Sequence, residues 1–244
     1  MLGGCATGDT GASEPWDPLE TPNRFIFSIN RAVDLIAIRP LAVLYRDWMP
    51  APAQRGIHNV LENLGEPVTA ITEVAQGTPG RAGTTLARFL VNSTIGLAGM
   101  FDVASALGLA KTKGGFGDVA GYYAGVEPEN GGFYLVLPLI GPSNARDGVG
   151  LAIDSAIDPF SIVTFSISRT AGWIYTGARY GATAMDARSR TLYALDDLEK
   201  NSVDYYAALR SAYTQQRADV IRQKREKSGV RAELDRRDNL ALVR

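Results

Sequence analysis

The chain has 244 residues, 45% of them apolar and 21% charged, with 26 acidic side chains against 25 basic ones and a single histidine. That apolar content excludes a disordered chain, and a net charge of −1 gives no general pull toward nucleic acid. One cysteine and one histidine exclude an intramolecular disulfide, a Cys-rich metal site and a metal site built on several imidazoles. The charge is unevenly spread: Gln215–Arg244 holds nine Lys/Arg against five Asp/Glu, so a mildly acidic body carries a basic tail.

Leu2-Gly3-Gly4-Cys5 places small residues directly before an acceptor thiol, as in a bacterial lipoprotein signal, and Cys5 is the expected lipidation site. Four residues leave no room for the basic and apolar parts of that signal, so it reads as trimmed or its start as placed too late. Ala6, and not an aspartate, follows the cysteine, which favours an outer-membrane address. Several acyl chains on one residue resist extraction, because each buried CH₂ is worth about 0.8 kcal/mol. Residues 6–16 are small and polar, so residues 1–16 read as lipobox and flexible tether.

Asp17-Pro18-Leu19-Glu20 makes an acidic turn suited to a helix N-terminus. Phe25, Ile29, Ala32, Val33 and Ile36 then follow amphipathic-helix spacing, and Arg39-Pro40 is expected to break that helix. A second short segment runs to Trp48 and ends at Pro50 and Pro52; a third runs from Ala53 toward Leu64. Glu66-Pro67 opens another, stopped at Gln76-Gly77. Thr78-Pro79 reads as N-cap plus first-turn proline of a helix to about Thr94. The glycine-rich Ile95–Asp118 stretch is a lid or sharp turn; without Gly-Lys-Ser/Thr it is no phosphate loop.

Val119–Val126 is a small-residue helix, and Phe133–Ile140 a buried strand or extended segment that Pro138 keeps from being central. Ser143 is the expected N-cap of a helix from Ala145. From Ser168 helix dominates: Trp173, Ala178, Gly181, Thr183 and Ala184 offer a face for close packing. A Leu/Tyr stripe from Leu192 to Tyr213 reads as core of a long C-terminal helix. Residues 214–244 read as a charged, frayed or disordered tail, either solvated or touching anionic headgroups. The class is mainly α, with one all-α domain over residues 17–213 and no apolar run near the ~20 residues of a membrane span.

Nothing argues for an enzyme. No Gly-x-Ser-x-Gly elbow accompanies His58, which reads as a surface histidine. Asp102, Asp147, Asp154 and Asp158 could form an acid pair, but each lies where caps and turns account for it. Arg146-Asp147 reads as a local ion pair or as a partner of the Asn23-Arg24 corner. No metal or cofactor is expected.

The ordered fragments DPLE, Asn23-Arg24, Asn30, Arg39-Pro40, Tyr45-Arg46-Asp47, Asn59, Asn63, Glu66-Pro67, Gln76-Gly77, RFLVNSTIGLAGMFDVA (Arg88–Ala104), Phe116-Gly117 and LVLPLIGPSNARDGVG (Leu135–Gly150) resemble the MlaA (VacJ) family of Gram-negative phospholipid-transport lipoproteins. The resemblance implies a ring of short amphipathic helices lying in the inner leaflet of the outer membrane. It implies association with trimeric porins, and transfer of phospholipid misplaced in the outer leaflet to a soluble periplasmic carrier of the MlaC type. It also implies lipid-channel candidates: Asn23, Arg24, Asn30, Arg39, Asn59, Tyr122, Tyr123 and Tyr134, with residues 122–150 as a hairpin near the pore. Corner-making explains the Asn and Arg positions equally well. Aromatic residues at helix ends, among them Trp16, Tyr45 and Trp48, suit headgroup level. The alternative from another class is a non-transporting lipoprotein adaptor that scaffolds a porin or envelope complex.

Overall fold

Pro40 ought to interrupt a helix, because it lacks an N–H and its ring collides with the carbonyl four residues back. In the computed structural model, which describes residues 17–124 and 132–227, the helix passes through it. Helix α1 (Glu20–Val33) widens into a π-helical turn, Asp34–Ile38, and resumes as α2 (Arg39–Trp48). The Arg39 N–H reaches back to the Asp34 carbonyl, and this wider turn accommodates the proline at the start of α2. The expected break at Arg39-Pro40 is therefore corrected to a bulge within one helical run. Helix α3 (Ala51–Ala75) likewise continues through Pro67, so Glu66-Pro67 opens no new segment. Gly77, at a φ of 71°, does end the run where expected.

Helix α4 (Pro79–Thr94) packs back along α3. Thr78 precedes it, but its hydroxyl donates to the Glu73 carbonyl at 2.9 Å and caps nothing. The glycine-rich stretch turns through left-handed Leu97, Ala98 and Gly99 into α5 (Val103–Ala106), where Asp102 is a true N-cap, accepting from Ser105 N–H at 3.1 Å. Helix α6 (Phe116–Ala124) is followed by strands β1 (Tyr134–Leu137) and β2 (Gly141–Asn144), an antiparallel hairpin pairing Tyr134 with Asn144. β1 stops before Pro138, as a residue without an N–H requires. The cap of α7 (Ala145–Ile157) is Asn144, not Ser143; its side chain accepts from Asp147 N–H at 2.7 Å.

Asp158 caps α8 (Pro159–Ile167), and Ser168 caps α9 (Arg169–Asn201). The close approach on α9 is at Gly172, against the Phe165 ring, while Gly181 faces open space. A corner at Ser202–Asp204 divides the Leu/Tyr stripe, so two long helices stand where one was expected. Helix α10 (Tyr205–Lys227) continues past Tyr213 and is docked: Ile221 is 1% exposed, and Arg217 bonds Asp147 and Asp118. Cys5, Trp16 and residues 228–244 lie outside the described residues. Among the described residues no single helix is long and apolar enough to cross a membrane; α7 and α8 pass only as a pair bent by 54°.

Candidate functional site

Among the largest fully buried side chains, Arg88, Thr72 and Thr85 are polar and Ile221 is aliphatic, so polar groups share the interior with a small apolar cluster of Tyr134, Val136 and Tyr206. Apolar side chains lie outside: Trp48 is 82% exposed, Ile36 81% and Ile167 73%. The sequence pattern explains this inversion. Along α1, the π-helical turn and α2 the apolar stripe of Phe25, Ile29, Ile36 and Leu44 is exposed, whereas Asn23 is buried and Asn30 and Arg39 half-buried.

The interior is held by charge-assisted hydrogen bonds. Arg88 reaches Glu66 at 3.2 Å, Asp102 at 3.0 Å and the Leu109 carbonyl at 2.7 Å. Arg179 bonds Asp158 at 2.7 Å and the Leu64 carbonyl at 3.2 Å. Arg217 forks onto Asp147, and Lys224 joins it on Asp118. Burial pushes the Asp118 carboxyl up, but Lys224 and Arg217 outweigh it and hold it below the usual carboxylate range. At Glu66 burial wins over Arg88, and the pKa is raised. His58 is no plain surface residue. It is half-buried, with Nδ1 2.7 Å from Asp186 and Nε2 3.2 Å from Glu62.

Between α3, the 111–114 segment, α7, α8 and α9 lies a cavity of about 310 Å³. Leu61, Val68 and Leu151 make its apolar wall; Glu66, Asp154, Asp158 and Arg179 supply the polar one. A second cavity, about 470 Å³, lies on the far side of Lys111, Thr112 and Lys113 and is lined also by Arg81 and Lys224. Glu62 pairs with both lysines at once. Sequence reasoning missed these groups. Asp154 and Asp158 stand in the sequence as an acid-pair possibility that caps and turns account for, and Arg88 and Asn92 only as part of the Arg88–Ala104 segment.

The eight sequence candidates fall elsewhere. Asn23 is 2% exposed and clamps β1: its amide donates to the Tyr134 carbonyl at 2.9 Å and accepts from Val136 N–H at 2.9 Å. Asn30 repeats this two turns on, between the Leu137 carbonyl and the Leu139 N–H. Arg24 bonds Asp204 at 2.6 Å and lies over the Tyr206 ring; Arg39 bonds Asp196 at 2.6 Å. Asn59 donates to the Met100 carbonyl at 3.1 Å. Tyr122 and Tyr134 are buried, and exposed Tyr123 donates to the Ala75 carbonyl at 2.8 Å. Asn30 lines a cavity of about 260 Å³ beneath the hairpin tip. Arg146 does pair with Asp147, at 3.2 Å, but the Asn23-Arg24 corner pairs with Asp17 and Asp204 instead.

A mainly helical domain with a charged, cavitied interior and many exposed apolar side chains has the polarity of a protein of the lipid interface, since such an exterior is unfavourable against water. The particular family follows from comparison with known proteins. The chain belongs to the MlaA lipoprotein family, whose sequence profile matches residues 15–220. It is 33% identical over 229 residues to the Escherichia coli (strain K12) protein named "Intermembrane phospholipid transport system lipoprotein MlaA", covering 91% of this chain and 84% of that one. The Haemophilus influenzae protein of the same name is 32% identical over 219 residues, covering 88% and 83%. A solved structure described as "Structural basis for maintenance of bacterial outer membrane lipid asymmetry" superposes with a TM-score of 0.70 at 33% identity, covering 84% of this chain and 98% of that one. The chain is thus a mainly α envelope lipoprotein by family.

Proposed function

We propose that this protein removes phospholipid misplaced in the outer leaflet of the outer membrane and passes it to a soluble periplasmic carrier, so maintaining lipid asymmetry. The observation that carries this reading is the inverted polarity, with an amphipathic cavity inside. A phospholipid headgroup cannot enter hydrocarbon cheaply, because its charges lose their hydration. A polar-walled cavity inside an apolar shell offsets that cost while the shell remains in lipid. The cavities on either side of the Lys111–Lys113 segment provide such a path, and their Leu61, Val68 and Leu151 surfaces suit the first acyl methylenes. The helices lie as a ring in the inner leaflet, held at Cys5 by its lipid, with part of the apolar exterior against a trimeric porin. Asn23 and Asn30 serve the path by fixing the hairpin; Arg39 and Arg24 fix the outer helical run onto α9 and the corner that follows it.

Site-specific photocrosslinkers at Leu61 and Tyr180, which line the cavity, and at exposed Lys200 test this in cells grown on radiolabelled phosphate. Labelled phospholipid attached at the first two positions and absent from the third is the expected result. Porin adducts without lipid at any position would overturn transport in favour of a scaffolding lipoprotein.

A further inference from the structure

Three buried polar atoms on the cavity wall have no hydrogen-bond partner: Glu66 Oε2, Asp158 Oδ1 and Thr176 Oγ1. Glu66 and Asp158 are 4% and 2% exposed, so bulk water does not solvate these oxygens freely. A buried acceptor without a donor costs about 1–3 kcal/mol, and more when charged. Each carboxylate spends its other oxygen on an arginine, Arg88 or Arg179. The wall therefore presents acceptors without donors.

Charge along the same wall is unevenly matched. No lysine or arginine among the described residues forms an ion pair with Asp154; its Oδ1 accepts only the Phe116 N–H, at 2.9 Å. Burial raises its pKa and the Asp118 charge adds to this, against the Phe116 N–H and the charge of Lys224, which is bonded to Asp118. On the 111–114 side the imbalance is reversed. Lys111 and Lys113 share one carboxylate, Glu62, and Lys113 keeps 74% of its side chain exposed. Asp154 thus has no cation bonded to it, while the two lysines of the adjoining 111–114 segment share a single carboxylate.

Resting on the lipid-path reading above, we propose that this cavity selects a phospholipid headgroup bearing a primary amine, with the ammonium at Asp154 and the phosphate at Lys111 and Lys113. A primary ammonium carries three N–H donors, which the orphaned oxygens of Glu66, Asp158 and Thr176 can accept in turn along the path. A quaternary choline has no N–H to give them. A glycerol headgroup has hydroxyl donors but leaves Asp154 without a counter-charge. A divalent cation fits poorly, because among the described residues no three acidic, His or Cys side chains converge on one point. Several weak acceptors in sequence also let the amine move on, where one deep site would retain it.

The test uses the full chain incubated with vesicles holding equal amounts of ethanolamine, choline and glycerol phospholipids of identical acyl chains, with bound lipid read by native mass spectrometry. The expected result is enrichment of the ethanolamine lipid by roughly tenfold, the worth of one charge-assisted hydrogen bond. Asp154→Asn should abolish the preference while total bound lipid stays constant. Thr176→Val, which removes an oxygen bonded to nothing, should reduce the preference and leave thermal stability intact, so it decides the matter if Asp154→Asn fails to fold. Lipid bound without headgroup preference would overturn this inference alone, with water as the acceptors' donor. No lipid bound at all would overturn the lipid-path reading itself. Binding of soluble phosphoethanolamine in place of lipid would make the cavity a free-amine site and overturn the assignment.

Discussion

Asn23 holds Val136 as a neighbouring β-strand would. Its side-chain carbonyl accepts the Val136 N–H and its amide donates to the Tyr134 carbonyl, both at 2.9 Å. A helix side chain thus supplies the hydrogen bonds that edge strand β1 lacks on its open side. Asn30, farther along α1, does the same for the hairpin tip, where Leu139 is forced to a φ of 62°. Replacing Asn23 by Leu fills the space but leaves a buried N–H and C=O without partners. The expected loss is about 2–4 kcal/mol in urea unfolding. Asn30→Ala, at a half-buried position, should cost less. Equal losses at the two sites would contradict the strand-mimic account.

Acid should weaken the α4–α5 corner. Burial pushes the Asp102 carboxyl up, but Ser105 through hydroxyl and backbone, then Asn92 and Arg88, bring it down to about 2. A depressed folded pKa contributes stability that is complete above the unfolded value, near 4, and is lost as pH falls through the folded one. The melting temperature should therefore fall between about pH 4 and about 2. In Asp102→Asn the fall over that interval should be shallower, from a lower starting value at pH 7. Parallel curves for the two proteins would remove Asp102 from the explanation.

Gly150 lets α6 and α7 meet at backbone distance. A Cβ there would stand 2.2 Å from Gly117 N and 2.6 Å from its Cα, and backbone cannot swing aside as a side chain can. Gly150→Ala is expected to cost about 1–3 kcal/mol by overpacking. Gly181→Ala, in open space on α9, should be neutral or slightly stabilising through helix propensity. Differential scanning calorimetry of the two variants decides between close packing and mere small-residue composition.

Trp48, 82% exposed, adds nothing to the core, so Trp48→Glu should change unfolding free energy by no more than about 0.5 kcal/mol. Its lipid contact is another matter. Removing a large apolar side chain from hydrocarbon costs about 1.5–3 kcal/mol, which is roughly a tenfold or greater loss of vesicle affinity. Flotation with phosphatidylethanolamine/phosphatidylglycerol vesicles, using protein without acyl chains, measures it. Unchanged flotation would place this surface against something other than lipid.

Helix content, the turn at Gly77 and the caps at Asp102 and Asp158 were legible in the chain, because each depends on residues within a turn of one another, whereas the extended segment expected over Phe133–Ile140 ends sooner, before Pro138. The ordered Asn, Arg and Pro motifs likewise sufficed to indicate the family, which the profile match over residues 15–220 bears out. What sequence order could not decide was the direction of each amphipathic face. Periodicity gives the angle between polar and apolar stripes, and only packing says which of them faces in. Here the polar stripe does, so Arg88 is 1% exposed while Ile36 is 81% exposed. The same limit hid the cavity: Glu66, Asp154 and Arg179 lie on three helices far apart in sequence, and only the fold sets them around one space. Pro40 is the local counterpart. Its missing N–H was readable, but not that the chain would take up the proline in a wider turn, where the Arg39 N–H reaches the Asp34 carbonyl, and would not break.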